Sequence, residues 1–220
     1  MKRKVVTTAD GSTTIHLEAW NEQYHSKHGA IQEAYHVFIK NGLHKVDATD
    51  IAILEMGFGT GLNALITYLE VEKSNCRVSY HGIEAFPVRK AELEQLNFIS
   101  ELGIQHLNPV FQNLHSSPWE ETVKIADFFS LYKQQSDFLR WSGEQLFNLI
   151  YFDAFGPRVQ PELWTKTIFE KTFKALQRDG ILVTYSAKGS VRRAMQEIGF
   201  VVERLPGPPG KREMLRAVKP

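Results

Sequence analysis

The chain has 220 residues, of which 43% are hydrophobic and 23% are charged, and its formal net charge is +1. These values are typical of one globular domain with additions, and they exclude a broadly basic nucleic-acid-binding protein. A single cysteine, Cys76, excludes internal disulfides and cysteine-rich zinc sites. Because no apolar run approaches the ~20 residues of a membrane span and no signal core follows the N-terminus, we expect a cytoplasmic protein with no membrane partner.

The first part of the chain predicts a β-hairpin and then a helix. Two β-branched arms, 4–8 and 13–17, flank an Ala-Asp-Gly turn signal, and a helical pattern covers 31–39. Three histidines occur here: His25, His28 and His36. No acidic ligand set or metal motif accompanies them, so we predict no metal. We expect residues 1–46 to be an extension, either a lid or a structural preface, before a domain over 47–220.

A strand, a glycine turn and a helix follow one another in ILEMGFGTGLN, residues 53–63. A dinucleotide fingerprint would need glycine at position 62, and a P-loop would need Lys and Ser or Thr there; the chain has Leu62 and Asn63. The pattern Glu-x-Gly-x-Gly-x-Gly instead resembles the first motif of S-adenosyl-L-methionine methyltransferases. A glycine turn without any ligand is the alternative interpretation.

The proposed nucleotide-type site also needs an acid for ribose hydroxyls. Glu84 ends the next strand-like run, 78–83, at roughly the 20-residue offset expected of a ribose-binding acid. The residues assigned to the cofactor from this pattern are Glu55, Gly57, Phe58, Gly59, Thr60, Gly61, Asn63 and Glu84.

The rest of the chain alternates strand-like and helix-like segments, which predicts an α/β fold with a mostly parallel sheet. The pattern favours a helix over 87–96, a third strand region over 123–132 and a helix that ends at Gly180. A strand over 181–186 and a helix over 191–198 follow.

The most apolar segment, 146–152, ends in Asp153. A continuous apolar run indicates a central strand that is buried on both faces. An acid after such a strand lies where open α/β sheets bind their ligands, so Asp153 is the candidate catalytic residue. The alternative is an acid that only caps a helix or a turn.

Basic residues are densest in the C-terminal third of the chain. Lysines and arginines near the predicted cleft form one candidate phosphate-facing rim: Lys188, Arg192, Arg193, Lys211 and Arg212. The alternative is that these are solvated surface charges.

Taken together, several blocks resemble the methyltransferase domain of the bacterial MnmC-type tRNA-modification enzymes. The blocks are ILEMGFGTGLN, YFDAFGPRVQPELWT, GILVTYSAKGSVRRAMQEIGF and PGKREML, with YHSKHGAIQEAYHVFI resembling that family's N-terminal region. The resemblance implies a Rossmann-like class I fold with a mostly parallel seven-stranded sheet. It also implies methylation, by S-adenosyl-L-methionine, of 5-aminomethyl-(2-thio)uridine at the tRNA wobble position. Asp137 and Phe138 fall where related methyltransferases often place an acid and an apolar residue beside the adenine.

On this hypothesis, Asp153 orients the acceptor amine and takes or relays its proton, since a primary amine attacks only when neutral. These 220 residues contain no dinucleotide fingerprint, so we expect no FAD oxidase activity from them. Two alternatives remain: a small-molecule amine or polyamine-type transferase on the same fold, and a non-catalytic binding module.

Overall fold

Residues 2–220, described by a computed structural model, form two β-sheets with helices on both faces of the larger one. The strands are β1 (Arg3–Thr7), β2 (Thr13–Leu17), β3 (Glu22–Gln23), β4 (Asp50–Met56), β5 (Arg77–Ile83), β6 (Thr122–Ala126), β7 (Phe129–Gln134), β8 (Phe147–Phe152), β9 (Leu176–Thr184), β10 (Val201–Pro206) and β11 (Glu213–Val218). The α-helices are α1 (Ala30–Ala34), α2 (Leu62–Val71), α3 (Lys90–Leu93), α4 (Phe98–Glu101), α5 (Asn108–Ser116), α6 (Lys166–Ala175) and α7 (Gly189–Ile198). A π-helix spans Tyr35–Lys40, and 3-10 helices span Leu43–Lys45, Gln105–Leu107 and Pro161–Trp164.

The large sheet has eight strands in the order β10-β11-β9-β8-β4-β5-β7-β6, and the small sheet has the order β1-β2-β3. Strands β9, β8, β4, β5 and β7 pair in parallel, while the outer pairings are antiparallel. This arrangement confirms the predicted α/β class, the mostly parallel sheet and the N-terminal hairpin.

The side chains of the central strands alternate between two apolar cores. Ile53 and Leu149 belong to the core that contains α2, whereas Leu54 and Ile150 belong to the core that contains α6 and α7. All four are fully buried. Burial on both faces explains why β4 and β8 are continuous apolar runs rather than alternating ones.

The sheet has eight strands rather than seven because the third strand region, predicted as one segment, is a hairpin. Asp127 and Phe128 form the turn between β6 and β7, which pair antiparallel. Phe128 packs its ring 5.0 Å from that of Tyr68. Because this half-buried aromatic residue lies in the turn, the hydrophobic pattern shows no break between the two strands.

The predicted helix end at Gly180 is wrong, because α6 ends at Ala175 and β9 begins at Leu176. Backbone hydrogen bonds join this part of β9 to Lys219, directly after the C-terminal strand: the Asp179 N–H donates to Lys219 O at 2.8 Å, and the Lys219 N–H donates to Gly180 O at 3.0 Å. This long-range pairing overrides the local helical pattern. The helix predicted over 87–96 is too long, because the α-helix after Pro87 covers only α3. The helix predicted over 31–39 is present, as α1 followed directly by the π-helix.

The carboxyl ends of β4, β5 and β8 meet at one edge of the sheet. Glu55 is in register with Gly82 on β5 and with Tyr151 on β8. The backbone N–H of Asp153 then donates to Met56 O at 3.0 Å. Parallel pairing therefore brings the glycine turn and Asp153 together.

Within residues 2–220, no helix has both the length and the apolar character that a membrane crossing requires. The same part of the chain has no cluster of three or more His, Cys, Asp or Glu side chains suited to a metal ion. Two of the N-terminal histidines instead contact oxygen atoms of the protein: His25 Nδ1 lies 3.0 Å from Thr14 Oγ1, and His36 Nε2 lies 2.8 Å from Pro206 O.

Replacing Leu149 by alanine tests the two-sided burial of β8. We expect Leu149→Ala to lower the free energy of unfolding by about 2–5 kcal/mol, because the fully buried side chain leaves a cavity. The control is Leu146→Ala, since Leu146 precedes the same strand and is 55% exposed. Urea unfolding of both variants measures the difference; equal decreases in stability would contradict the assigned burial.

Candidate functional site

The glycine turn between β4 and α2 forms the floor of the site. Gly57, Gly59 and Gly61 have φ values of +105°, +47° and +69°, in the left-handed region that favours glycine. A Cβ atom on Gly57 would lie 2.6 Å from the backbone oxygen of Asp153. The turn can therefore approach the segment after β8 only because residue 57 has no side chain.

Glu84, after β5, is tied to the glycine turn through its side chain. Its Oε2 accepts the Gly59 N–H at 3.0 Å, and its Oε1 accepts the Phe86 N–H at 2.8 Å. Burial raises the pKa of Glu84 above its usual value. Since each carboxylate oxygen can accept a second hydrogen bond, Glu84 can bind two neighbouring hydroxyl groups of a ligand.

Asp153 and Glu55 share one amide group. The Asn63 side-chain nitrogen donates to Asp153 Oδ2 at 2.9 Å and to Glu55 Oε1 at 2.8 Å. The Tyr80 hydroxyl donates to the other oxygen of Glu55 at 2.9 Å.

Burial and the charge of Asp153 raise the pKa of Glu55 well above its usual range. Burial, together with the Glu33 carboxylate, raises the pKa of Asp153 to about 7, so Asp153 can exchange a proton near neutral pH.

A second charged group lies at the same end of the site. Lys211 Nζ forms an ion pair with Glu33 and lies 3.8 Å from the centroid of the Tyr185 ring. The Tyr185 hydroxyl donates to Ala154 O at 2.7 Å, beside Asp153. Residues from α1, from the segment after β9 and from the loop before β11 therefore converge on Asp153.

One cavity of about 1830 Å³ includes most of the residues that the sequence singled out. The predicted residues that line it are Glu55, Gly57, Phe58, Gly59, Thr60, Asn63, Glu84, Asp137, Phe138, Asp153 and Lys211. Gly61 does not line the cavity and faces α5 instead, since a Cβ atom there would lie 2.9 Å from His115 Nε2. The other basic residues also lie outside its lining: Lys188, Arg192, Arg193 and Arg212.

The N-terminal segment provides one wall of this cavity. The ring of Phe155 meets Trp20 and Tyr24 edge to face, with centroids 5.5 and 5.0 Å away. His25 Nε2 lies 3.3 Å from Thr60 Oγ1 of the glycine turn. Burial lowers the pKa of His25 to about 4, so the imidazole is neutral at physiological pH.

Several lining residues were missed by the sequence reasoning. Tyr185 follows β9 at the same sheet edge as Asp153, so its position alone gave a usable signal. No feature of the sequence indicated that Glu33 lines the site, because a single acid in a helical pattern usually faces solvent. Lys133 does not line the cavity, but its burial was also not predicted: it is 1% exposed on β7, donates to His115 O at 2.7 Å and lies 4.9 Å from the Trp119 ring centroid.

Comparison with known proteins gives a family for this arrangement. The sequence profile of a family described as S-adenosyl-L-methionine-dependent methyltransferase matches residues 120–220, which include β8 and Asp153. S-adenosyl-L-methionine is the cofactor of that family. The matched region ends at the C-terminal strands that bring Lys211 to the cavity.

Solved structures share the whole architecture. MnmC2 from Aquifex aeolicus aligns with a TM-score of 0.78 and 25% identity, over 98% of this chain and 69% of that chain. Spermidine synthase from Thermotoga maritima aligns with a TM-score of 0.59 over 99% of this chain and 68% of that chain. At 13% identity, the second likeness concerns the fold alone.

Among sequence relatives, the tRNA 5-methylaminomethyl-2-thiouridine biosynthesis bifunctional protein MnmC of Idiomarina loihiensis is 29% identical over 214 residues. The match covers 89% of this chain and 35% of that protein. The chain thus spans about a third of the length of the relatives it matches. By fold and sequence together, the chain is similar to the S-adenosyl-L-methionine-dependent methyltransferases of the MnmC type.

Proposed function

We propose that the protein transfers a methyl group from S-adenosyl-L-methionine to the 5-aminomethyl group of a (2-thio)uridine at the wobble position of tRNA. The observation that supports this most is the single cavity lined by the glycine turn, Glu84 and Asp153. That cavity combines a nucleoside-type site with an acid of near-neutral pKa. The product is the modification that the names of the MnmC relatives contain.

The residues around the glycine turn fit the cofactor. Gly57 and Gly59 let backbone approach a ligand, and Glu84 has acceptor capacity left for ribose hydroxyls. Asn63 Oδ1 is buried and has no hydrogen-bond partner among residues 2–220, so the site offers an unused acceptor to a ligand's donor group. When bound, S-adenosyl-L-methionine supplies a methyl group on a positively charged sulfur.

We assign the adenine side of the cavity to Asp137 and Phe138. The Ser136 N–H donates to Glu84 O at 3.2 Å, which brings this segment beside the ribose-binding acid. Asp137 Oδ1 accepts the Leu139 N–H at 2.9 Å, and its other oxygen is available to a ligand. Phe138 is 8% exposed and lines the cavity with its accessible part.

Asp153 is the proposed acceptor of the amine proton. An alkylamine is mostly protonated near pH 7 and attacks only after losing that proton. The ammonium proton would go first to the Asp153 carboxylate. The neutral nitrogen would then bond to the methyl carbon as the carbon–sulfur bond breaks, which leaves that electron pair on sulfur and the positive charge on the methylated nitrogen. Asn63 holds that carboxylate in one orientation.

The tRNA would bind through basic residues outside the cofactor cavity. Lys188, Arg193 and Arg212 are exposed, which suits contacts with phosphates, whereas Arg192 is half-buried. Three further cations line the cavity and form no ion pair among residues 2–220: Lys27, Arg89 and Arg140. They extend the basic surface to the cavity mouth.

The function is tested with purified protein, S-adenosyl-L-methionine and tRNA that carries the 5-aminomethyl group. Mass analysis of the digested nucleosides should show one added methyl group on the wobble uridine. Free polyamines and small primary amines serve as competing acceptors. Methylation of those amines with none on tRNA would contradict the proposed substrate.

Gly57→Ala tests the cofactor site. The added Cβ would force the Asp153 backbone away, so we expect a stability loss of about 1–3 kcal/mol and roughly tenfold weaker cofactor binding. Gly103→Ala is the control: its φ is +67° and its Cβ would meet nothing within 4 Å. Calorimetric titration with S-adenosyl-L-methionine separates the two variants. Unchanged affinity in Gly57→Ala would count against the site.

Asp153→Asn tests the catalytic role. The amide keeps the shape but cannot take a proton, so we expect methyl transfer to fall by about 10²–10⁴-fold while cofactor binding persists. In the unchanged protein, activity should fall as the pH drops through about 7, because the carboxylate becomes protonated. Full turnover by Asp153→Asn would remove the assignment.

Reversing the exposed basic charges tests the tRNA surface. In the double variant Lys188→Glu/Arg193→Glu we expect weaker tRNA binding and a salt slope that falls by roughly one for each phosphate that is no longer neutralised. Lys73→Glu is the control, because Lys73 is exposed between α2 and β5, at the opposite edge of the sheet. If both proteins show the same salt dependence, Lys188 and Arg193 do not face phosphates.

A further inference from the structure

Lys211 makes interactions that a phosphate-binding lysine on a surface loop does not need. Its side chain is 31% exposed and pairs with the Glu33 side chain, which is 9% exposed. The ammonium group also lies over the Tyr185 ring, 3.8 Å from its centroid. Glu33 is buried and Tyr185 is half-buried, and both line the cavity, so the Lys211 charge is directed inward.

The partners of Lys211 are themselves fixed. Glu33 Oε2 accepts the Ser26 N–H at 2.8 Å, while its Oε1 pairs with Lys211. Tyr185 is anchored by the bond from its hydroxyl to Ala154 O at 2.7 Å. Lys211 is therefore held at a defined place, whereas an exposed ion pair usually samples many.

We propose that Lys211, held by Glu33 against Tyr185, is a positioning residue that sets the charge around Asp153 and thereby keeps the acceptor amine neutral. This inference rests on the proposed methyl transfer to an amine. Glu33 from the N-terminal segment and Lys211 from the loop between β10 and β11 would then together set the charge near Asp153.

Several charged and polar groups face Asp153. They are the carboxyl groups of Glu33 and Glu55, the ammonium of Lys211, the hydroxyls of Tyr80 and Tyr185 and the amide of Asn63. Glu33 raises the pKa of Asp153 and Lys211 lowers it. The same two charges act in the same directions on a bound amine, because a nearby cation disfavours the protonated form.

Removing the Lys211 charge should therefore make the pocket more negative and raise the pKa of both Asp153 and the bound amine. The protonated amine would bind at least as well, but less of it would be neutral, and so kcat should fall near pH 7 while KM does not rise. Removing the Glu33 charge should have the opposite effect on the proton equilibria. If the ion pair were merely structural, removing either partner would not shift the pH dependence of kcat in opposite directions.

The test compares Lys211→Met and Glu33→Gln, with Lys211→Arg as the conservative control that keeps the charge. The measurements are kcat and KM for the aminomethyl-tRNA as a function of pH. We expect the midpoint of the rise in kcat to move up by about one pH unit in Lys211→Met, to move down in Glu33→Gln and to stay near its original value in Lys211→Arg. Thermal unfolding verifies that each variant is folded.

A second measurement is independent of turnover. Carbon-13 NMR of the Asp153 carboxyl, assigned by its loss in Asp153→Asn, should show the same upward and downward shifts in the titration midpoint. Absence of opposite shifts in this titration would overturn the proposal, as would weaker tRNA binding in Lys211→Met with an unmoved midpoint. If the unchanged protein does not methylate tRNA while the NMR midpoints shift as expected, the charge coupling stands and the proposed substrate fails.

Discussion

The amide nitrogen of Asn63 donates to two carboxyl groups at once, Glu55 at the end of β4 and Asp153 after β8. Buried carboxyl groups need such donors, because an unpaired polar group in an apolar interior is costly. The shared amide fixes Asp153 beside the glycine turn and links the first helix after that turn to two central strands. The hydrogen bonds of the Asn63 amide therefore connect the proposed cofactor site with the proposed acceptor site.

Charge balance at this centre comes from parts of the chain far apart in sequence. Glu33 belongs to the N-terminal segment, and Lys211 belongs to the loop between the last two strands, yet they pair at the cavity wall. Burial raises the pKa of Asp153 to about 7, with the Glu33 charge adding to the rise and the Lys211 charge opposing it. A carboxyl group that ionises near neutral pH suits proton transfer from an amine better than one of ordinary acidity.

The sequence was sufficient for the parts of the site that depend on local pattern. The strand, glycine turn and helix around Gly57 and the acid that ends β8 are short-range features, and both lie where the pattern predicted. The ion pair of Glu33 with Lys211 joins residues 178 positions apart, so no local pattern indicates it. The hairpin of β6 and β7 was missed for another reason: the apolar Phe128 lies in its turn.

The most direct test of this account is a crystal structure of the protein with S-adenosyl-L-homocysteine, the demethylated form of the cofactor. The account predicts the ribose hydroxyls on Glu84, the sulfur facing Asp153 across the cavity, and the Asn63 amide still shared by Glu55 and Asp153. A ligand bound away from the glycine turn, or with Asp153 directed away from the sulfur, would contradict it.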